Sequence, residues 1–163
     1  MYLQNSIRIE NLLQNNSFDF KRKLVGSIIK GPIDGATLKL KDANGKLIAS
    51  TIPQKGVFSF HEQNFTSDYY TIESVGGTYD DKTMKTLAKI GFPQGLSTLL
   101  STAKLQAILK NNESIIITPE TTIFTALVIN NINNGMKIES AIAEAYTLVT
   151  SAMTKNSRDI LTL

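Results

Sequence analysis

The spacing of apolar residues changes its period once along this chain, at Thr118-Pro119-Glu120-Thr121-Thr122. Before that point, short apolar runs alternate with polar residues. Turn signals cut them every ~8–12 residues, as in antiparallel sheet proteins. Ala36 to Lys41 is the clearest case. Ala36, Leu38 and Leu40 share one side and Thr37, Lys39 and Lys41 the other, which predicts a strand with one buried face. Asp42-Ala43-Asn44-Gly45 predicts a tight turn, because Asn-Gly supplies the positive φ values of a hairpin. Lys46 to Thr51 returns as the partner strand, and Pro53 to Gly56 makes the next turn. Leu24 to Lys30, Val57 to Phe60 and Tyr69 to Val75 predict further strands. Gly31 to Gly35 reads as a turn between strands. Gly76 to Asp81 reads as a loop whose paired glycines take conformations closed to other residues. From Thr83 to Thr102 the pattern weakens. Leu96, Leu99 and Leu100 have helical spacing and predict one helical turn, while Ala103 to Leu109 and Ser114 to Thr118 predict two strands.

After Thr118 the period becomes helical. Thr118 is placed as an N-cap with Pro119 at the first helical position, where a missing N–H costs nothing. Glu120 in the first turn complements the helix dipole. Phe124, Leu127 and Val128 form a stripe, and Asn133-Asn134-Gly135 supplies a stop. Ile138, Ala141, Ile142, Ala145, Leu148, Val149, Ala152 and Met153 then repeat at i, i+3, i+4, i+7. Two helices joined by a short Gly-containing loop predict an αα-hairpin whose apolar face covers the sheets.

Residues 1–21 are polar and rich in Asn and Gln, yet Ile7 and Ile9 alternate within them, followed by Leu12 and Leu13. Ile7, Ile9, Leu12 and Leu13 are therefore candidates for an added strand, paired with an edge of their own domain or of a neighbouring copy. The expected organisation is an arm over 1–21, an antiparallel β-sandwich over 22–118, and a helical hairpin with a tail over 119–163.

Composition narrows the chemistry. Of 163 residues, 42% are hydrophobic, enough for a core. Seventeen basic against 14 acidic residues leave a formal charge of +3, too balanced to argue for nucleic acid. Lys21-Arg22-Lys23, a basic run, reads as the solvated entry to a strand. With no cysteine, disulfides, thiolate metal sites and cysteine nucleophiles are excluded. No apolar run reaches the ~18–20 residues of a membrane span, and the first residues lack the basic-then-apolar pattern of an export signal.

Candidate sites are few. His61 is the one histidine, without the partners of a triad or a multi-histidine metal motif. Tyr79, Asp80 and Asp81 form a candidate ligand loop, and Asp68 or Glu73 would extend it toward calcium, although the spacing matches no calcium loop. Lys30, Lys39 and Lys41 are weighed as donors of a Lys–Asn isopeptide bond, but Lys39 and Lys41 fall on the predicted solvent face. Tyr69, Tyr70 and Tyr79 are weighed as a sugar platform against ordinary cross-strand packing. No phosphate loop or dinucleotide fingerprint occurs.

Gly26-Ser27-Ile28-Ile29-Lys30-Gly31-Pro32-Ile33-Asp34-Gly35-Ala36-Thr37 resembles the opening of transthyretin-like, carboxypeptidase regulatory-like sandwich domains of bacterial surface proteins and lipoproteins. Asp42 to Gly45, Lys55 to Phe60, Tyr70 to Ser74 and Gly76 to Tyr79 follow in the same order. Thr118-Pro119-Glu120-Thr121-Thr122 resembles the Thr-Pro-Leu-Thr-Thr segment that often opens a helix after such a sandwich. The resemblance covers roughly 22–163. It departs from the pattern in residues 1–21 and in a longer stretch from Asp81 to Ala103. It implies an exported, non-catalytic module of the cell envelope, used in display, adhesion or assembly, without a cofactor. Its expected partners are copies of itself, another envelope protein or a glycan. The alternative is a glycan- or peptide-binding module of a surface lipoprotein. An export signal is then expected outside this chain.

Overall fold

The computed structural model describes residues 23–29, 32–61, 64–79, 82–90 and 95–161. In chain order these form β1 (Lys23–Ile28), β2 (Pro32–Asp34), β3 (Thr37–Asp42), β4 (Leu47–Thr51), β5 (Val57–His61), β6 (Tyr69–Val75), β7 (Thr78–Tyr79), α1 (Lys82–Lys89), β8 (Ser97–Ser101), α2 (Thr102–Asn111), β9 (Ile115–Ile117), α3 (Pro119–Asn133) and α4 (Ile138–Leu161). The fold is α+β. Its two larger sheets are mainly antiparallel, one ordered β5-β1-β9 and the other β4-β3-β6-β8, and β2 pairs with β7 apart from them.

Period-two patterning accounts for the central strands. β1 buries Leu24, Gly26 and Ile28, β3 buries Leu38 and Leu40, β5 buries Phe58 and Phe60, and β6 buries Tyr70, Ile72 and Ser74. These apolar residues, together with Leu96, Leu100, Leu105, Ile108, Ile115 and Ile117, make one core to which both larger sheets contribute. Each fully buried aliphatic or aromatic side chain there contributes about 1.5–3 kcal/mol. The predicted turn at Asp42 forms, although Gly45 alone takes a positive φ and Asn44 does not. The Asp42 carboxylate accepts the N–H groups of Asn44 and Lys46, both at 2.9 Å, and Gly45 has φ 83°.

Four expectations are corrected. Leu96, Leu99 and Leu100 lie in or beside β8, not in a helical turn. Leu100 belongs to the core that both larger sheets share and Leu99 to a second cluster with residues of the helices. A strand covered on both faces loses its polar alternation, so its sequence is ambiguous with a helix. Ala103 to Leu109 is helix, not strand. Ala103, Leu105, Ala107 and Leu109 mimic alternation, but the buried positions are Leu105 and Ile108, a helical spacing. The Ser101 hydroxyl caps this helix by accepting the Lys104 N–H at 3.1 Å. The sandwich expectation was antiparallel throughout, whereas β9 runs parallel to β1, with Ser27 opposite Ile116. No hairpin dictates the direction of β9, because α2 delivers the chain to it. Finally, the stretches read as a turn and a loop contain the short pair β2–β7, with Pro32 opposite Tyr79.

The hairpin forms a further layer. Leu99 of β8, Val128 of α3 and Ala141 and Ala145 of α4 are the buried centre of the second cluster, with Phe124, Ile132 and Ile142 packed around them. Ala141 and Ala145 are one turn apart and small, which lets the helices approach closely. Gly135, at φ 98°, turns the chain between α3 and α4.

Candidate functional site

Two regions gather the polar side chains, and both are built on β8. The first is the joint at Thr118 to Thr122. Thr118 caps α3: its hydroxyl accepts the Thr121 N–H at 3.1 Å, while the Thr121 hydroxyl accepts the Thr118 N–H at 2.9 Å. The same Thr121 hydroxyl donates to the Ser97 carbonyl at 2.7 Å, and the Thr122 hydroxyl accepts the Ser97 N–H at 2.8 Å. The motif therefore fixes the first turn of α3 to the edge of the four-stranded sheet. Its role in the fold is to join two layers.

The second region is a groove at the far end of β8. β8 passes straight into α2 at Thr102, whose hydroxyl lies 3.1 Å from both the Ser67 and Asp68 carbonyls. Ser67 is held in turn by the Tyr70 hydroxyl, which accepts its N–H at 2.6 Å, and by the Ala43 N–H, which its own hydroxyl accepts at 2.9 Å. These bonds bring Asp68 opposite the first turn of α4. One lobe of the groove, about 600 Å³, is bounded by Ser101, Thr102, Ala103, Gln106 and Ile142. An adjoining lobe of about 390 Å³ is bounded by Tyr69, Ile132, Met136 and Lys137. Asp68, Ile138 and Glu139 line both. Isoleucine, methionine and alanine supply apolar surface; hydroxyls, an amide and two carboxylates supply hydrogen bonds. Such a surface can hold a ligand by contact and polar pairing.

The sequence-derived candidates are largely dispersed. Ile7, Ile9, Leu12, Leu13, Lys30, Asp80 and Asp81 lie outside the described residues; of Tyr79 only the backbone, in β7, is described. Asp68 lines the groove, but Glu73 pairs with Lys41 on the outer face of the sheet. Among the described residues no group of three or more His, Asp or Glu side chains is placed to hold a metal ion. His61 is exposed at the end of β5, opposite Lys23. Lys39 and Lys41 are half-buried on the outer sheet face. Tyr70 is buried against Phe65, with ring centroids 5.0 Å apart, whereas Tyr69 borders the helical cluster. The two tyrosines thus occupy opposite faces and make no joint platform. Sequence reasoning missed Thr102, Gln106, Glu139 and Ile142. The available signal was the Ser101 cap opening a helix, which the apparent alternation after it obscured.

No helix among the described residues is long and apolar enough to cross a membrane. Compared with known proteins, the chain matches no family model, no curated protein and no solved structure.

Proposed function

We propose that this chain is a non-catalytic structural and assembly module of the cell envelope, its two larger sheets forming a transthyretin-like β-sandwich. Support for the sandwich comes from the single core shared by Leu24, Phe58 and Ile117 of one sheet with Leu38, Ile72 and Leu100 of the other.

The observation that carries the assembly reading is the outer edge of β4. The Asp42 N–H donates to the Lys46 carbonyl at 3.0 Å, so Leu40 and Leu38, two and four residues back on β3, also face β4. Across a bulge between Leu40 and Lys41 they stand opposite Ala49 and Thr51, and the backbone groups of Ser50 therefore point away from β3. Among the described residues no strand pairs with β4 on that side. The edge sequence, Leu47-Ile48-Ala49-Ser50-Thr51, carries no charge or proline, and Leu47 and Ile52 beside it are 50% and 62% exposed. An uncharged, unpaired edge of this kind receives strands from other chains. The opposite edge, β8, is different, because threonine hydroxyls occupy Ser97.

The test is the mass of the protein in solution over a range of concentrations. The 17.9 kDa chain is expected to associate, and Ser50→Pro, which removes an outward N–H, is expected to return it to monomer. Ile52→Lys, at an exposed position, does the same without touching the ladder. Wild-type protein that stays monomeric throughout, or variants that associate unchanged, overturn the proposal.

The groove beside Asp68 favours a second reading, a module binding peptide or glycan. Gln106→Trp fills the larger lobe and abolishes that binding while leaving the mass in solution unchanged.

A further inference from the structure

Helix α1 presents a second surface, built from different residues. Lys82, Lys85 and Lys89 stand at i, i+3 and i+7, which puts them on one face of this eight-residue helix. All three are exposed. Thr86 lies on the same face, its hydroxyl donating to the Lys82 carbonyl at 3.1 Å. Asp80 and Asp81 immediately precede the helix in sequence, but no Asp or Glu occurs from Lys82 through Asn112, so the stretch from Asp80 to Asn112 carries five lysines against two carboxylates. Just past the helix, Ile90 is 76% exposed, the highest value of any large hydrophobic residue described. Lysines alone make an ordinary solvated face. An isoleucine held in water beside them has an apolar surface that remains unused in the free chain.

We propose that α1 and Ile90 dock on the surface of a bilayer that contains anionic lipid. The three ammonium groups lie at the level of the lipid phosphates, and Ile90 enters the boundary between headgroups and acyl chains. A nucleic acid or an acidic polysaccharide satisfies the lysines but leaves Ile90 in water. A lipid surface answers both features, and for that reason it is the partner assigned. The contact would hold the module flat on a membrane without a spanning segment.

The test is sedimentation of the full chain with phosphatidylcholine vesicles made with and without phosphatidylglycerol. Binding is expected to the anionic vesicles alone. Each lysine near an anionic surface strengthens binding about fivefold, so replacing Lys82, Lys85 and Lys89 together by Gln weakens it about a hundredfold. High salt weakens the wild type in the same way, as the screening length falls from ~10 Å to ~3 Å between 0.1 and 1 M. Ile90→Ser weakens binding about tenfold and leaves the salt dependence intact. All substituted side chains are exposed, and circular dichroism confirms that the variants fold. Wild-type protein that ignores anionic vesicles overturns the proposal, as does a triple variant that still binds them. Retention of heparin, but not vesicles, by both wild type and Ile90→Ser overturns it in favour of a soluble polyanion. Because the β4 edge is untouched, the mass in solution separately decides the assembly reading.

Discussion

The Thr122 hydroxyl accepts the backbone N–H of Ser97 at 2.8 Å, so that a side chain on a helix takes the place of a neighbouring strand. Ser97 opens β8, an edge strand of the four-stranded sheet, and Glu73 is its opposite residue on β6. The Ser74 N–H donates to the Leu96 carbonyl at 2.8 Å, which directs Leu96 toward β6 and Ser97 away from it. An edge left open there would expose a donor and an acceptor to other chains. Thr121 and Thr122 occupy both.

Thr122→Val retains the shape of the side chain and removes its oxygen. The Ser97 N–H then lacks its partner in a half-buried site, and stability falls by about 1–3 kcal/mol. Thr122→Ser recovers most of that loss. The midpoint of urea unfolding, at unchanged slope, measures both.

Gly26 lies between β5 and β9, where a Cβ would overlap the Ile115 carbonyl oxygen and the Phe58 ring. Backbone cannot yield as a flexible side chain does, so Gly26→Ala forces the three-stranded sheet apart. A loss of about 3 kcal/mol or more is expected, at the upper end for overpacking, and is read as a fall in melting temperature.

Ser74 has the reverse character. Its hydroxyl is buried with no hydrogen-bond partner among the described residues. Ser74→Ala removes that unpartnered group and keeps the backbone bond to Leu96. Stability is expected to be unchanged or to rise by up to about 1 kcal/mol. A clear loss in chemical denaturation would show that the hydroxyl has a partner in solution.

Asn131 is buried in the hairpin, and its side-chain amide donates to the Ala141 carbonyl at 3.2 Å. Asn131→Ala removes this bond and opens space beside Val128, while the Ala141 carbonyl keeps its partner within α4. The expected cost is about 0.5–1.5 kcal/mol for the lost bond. It is also localised: amide exchange accelerates in α3 and α4 more than in β1, β3 and β5.

How much of this was legible in the chain varies by element. β3, β6 and the Asp42 turn were readable because one covered face and one wet face impose a two-residue period. The joint at Thr118 was readable because proline and threonine occupy fixed places in a helix start. The groove was legible only through Asp68. Gln106 and Glu139 are far apart in sequence and come together because β8 leads directly into α2 beneath the start of α4.

Local periodicity by itself determined β1, the strands from β3 to β6 and the helical hairpin after Thr118, but not α1 or α2, and the cap and stop residues determined where α3 begins and ends. These are near-neighbour effects, set by backbone geometry and by the side of each element that meets water. Tertiary structure alone decided that β8 is a strand, that β9 pairs with β1 in parallel, and that threonines of α3 occupy Ser97 at one sheet edge while β4 has no partner on its outer side among the described residues. The physical reason is that burial from both sides erases the alternation by which a strand is recognised. Strand direction and edge contacts, moreover, depend on partners that the local sequence does not name.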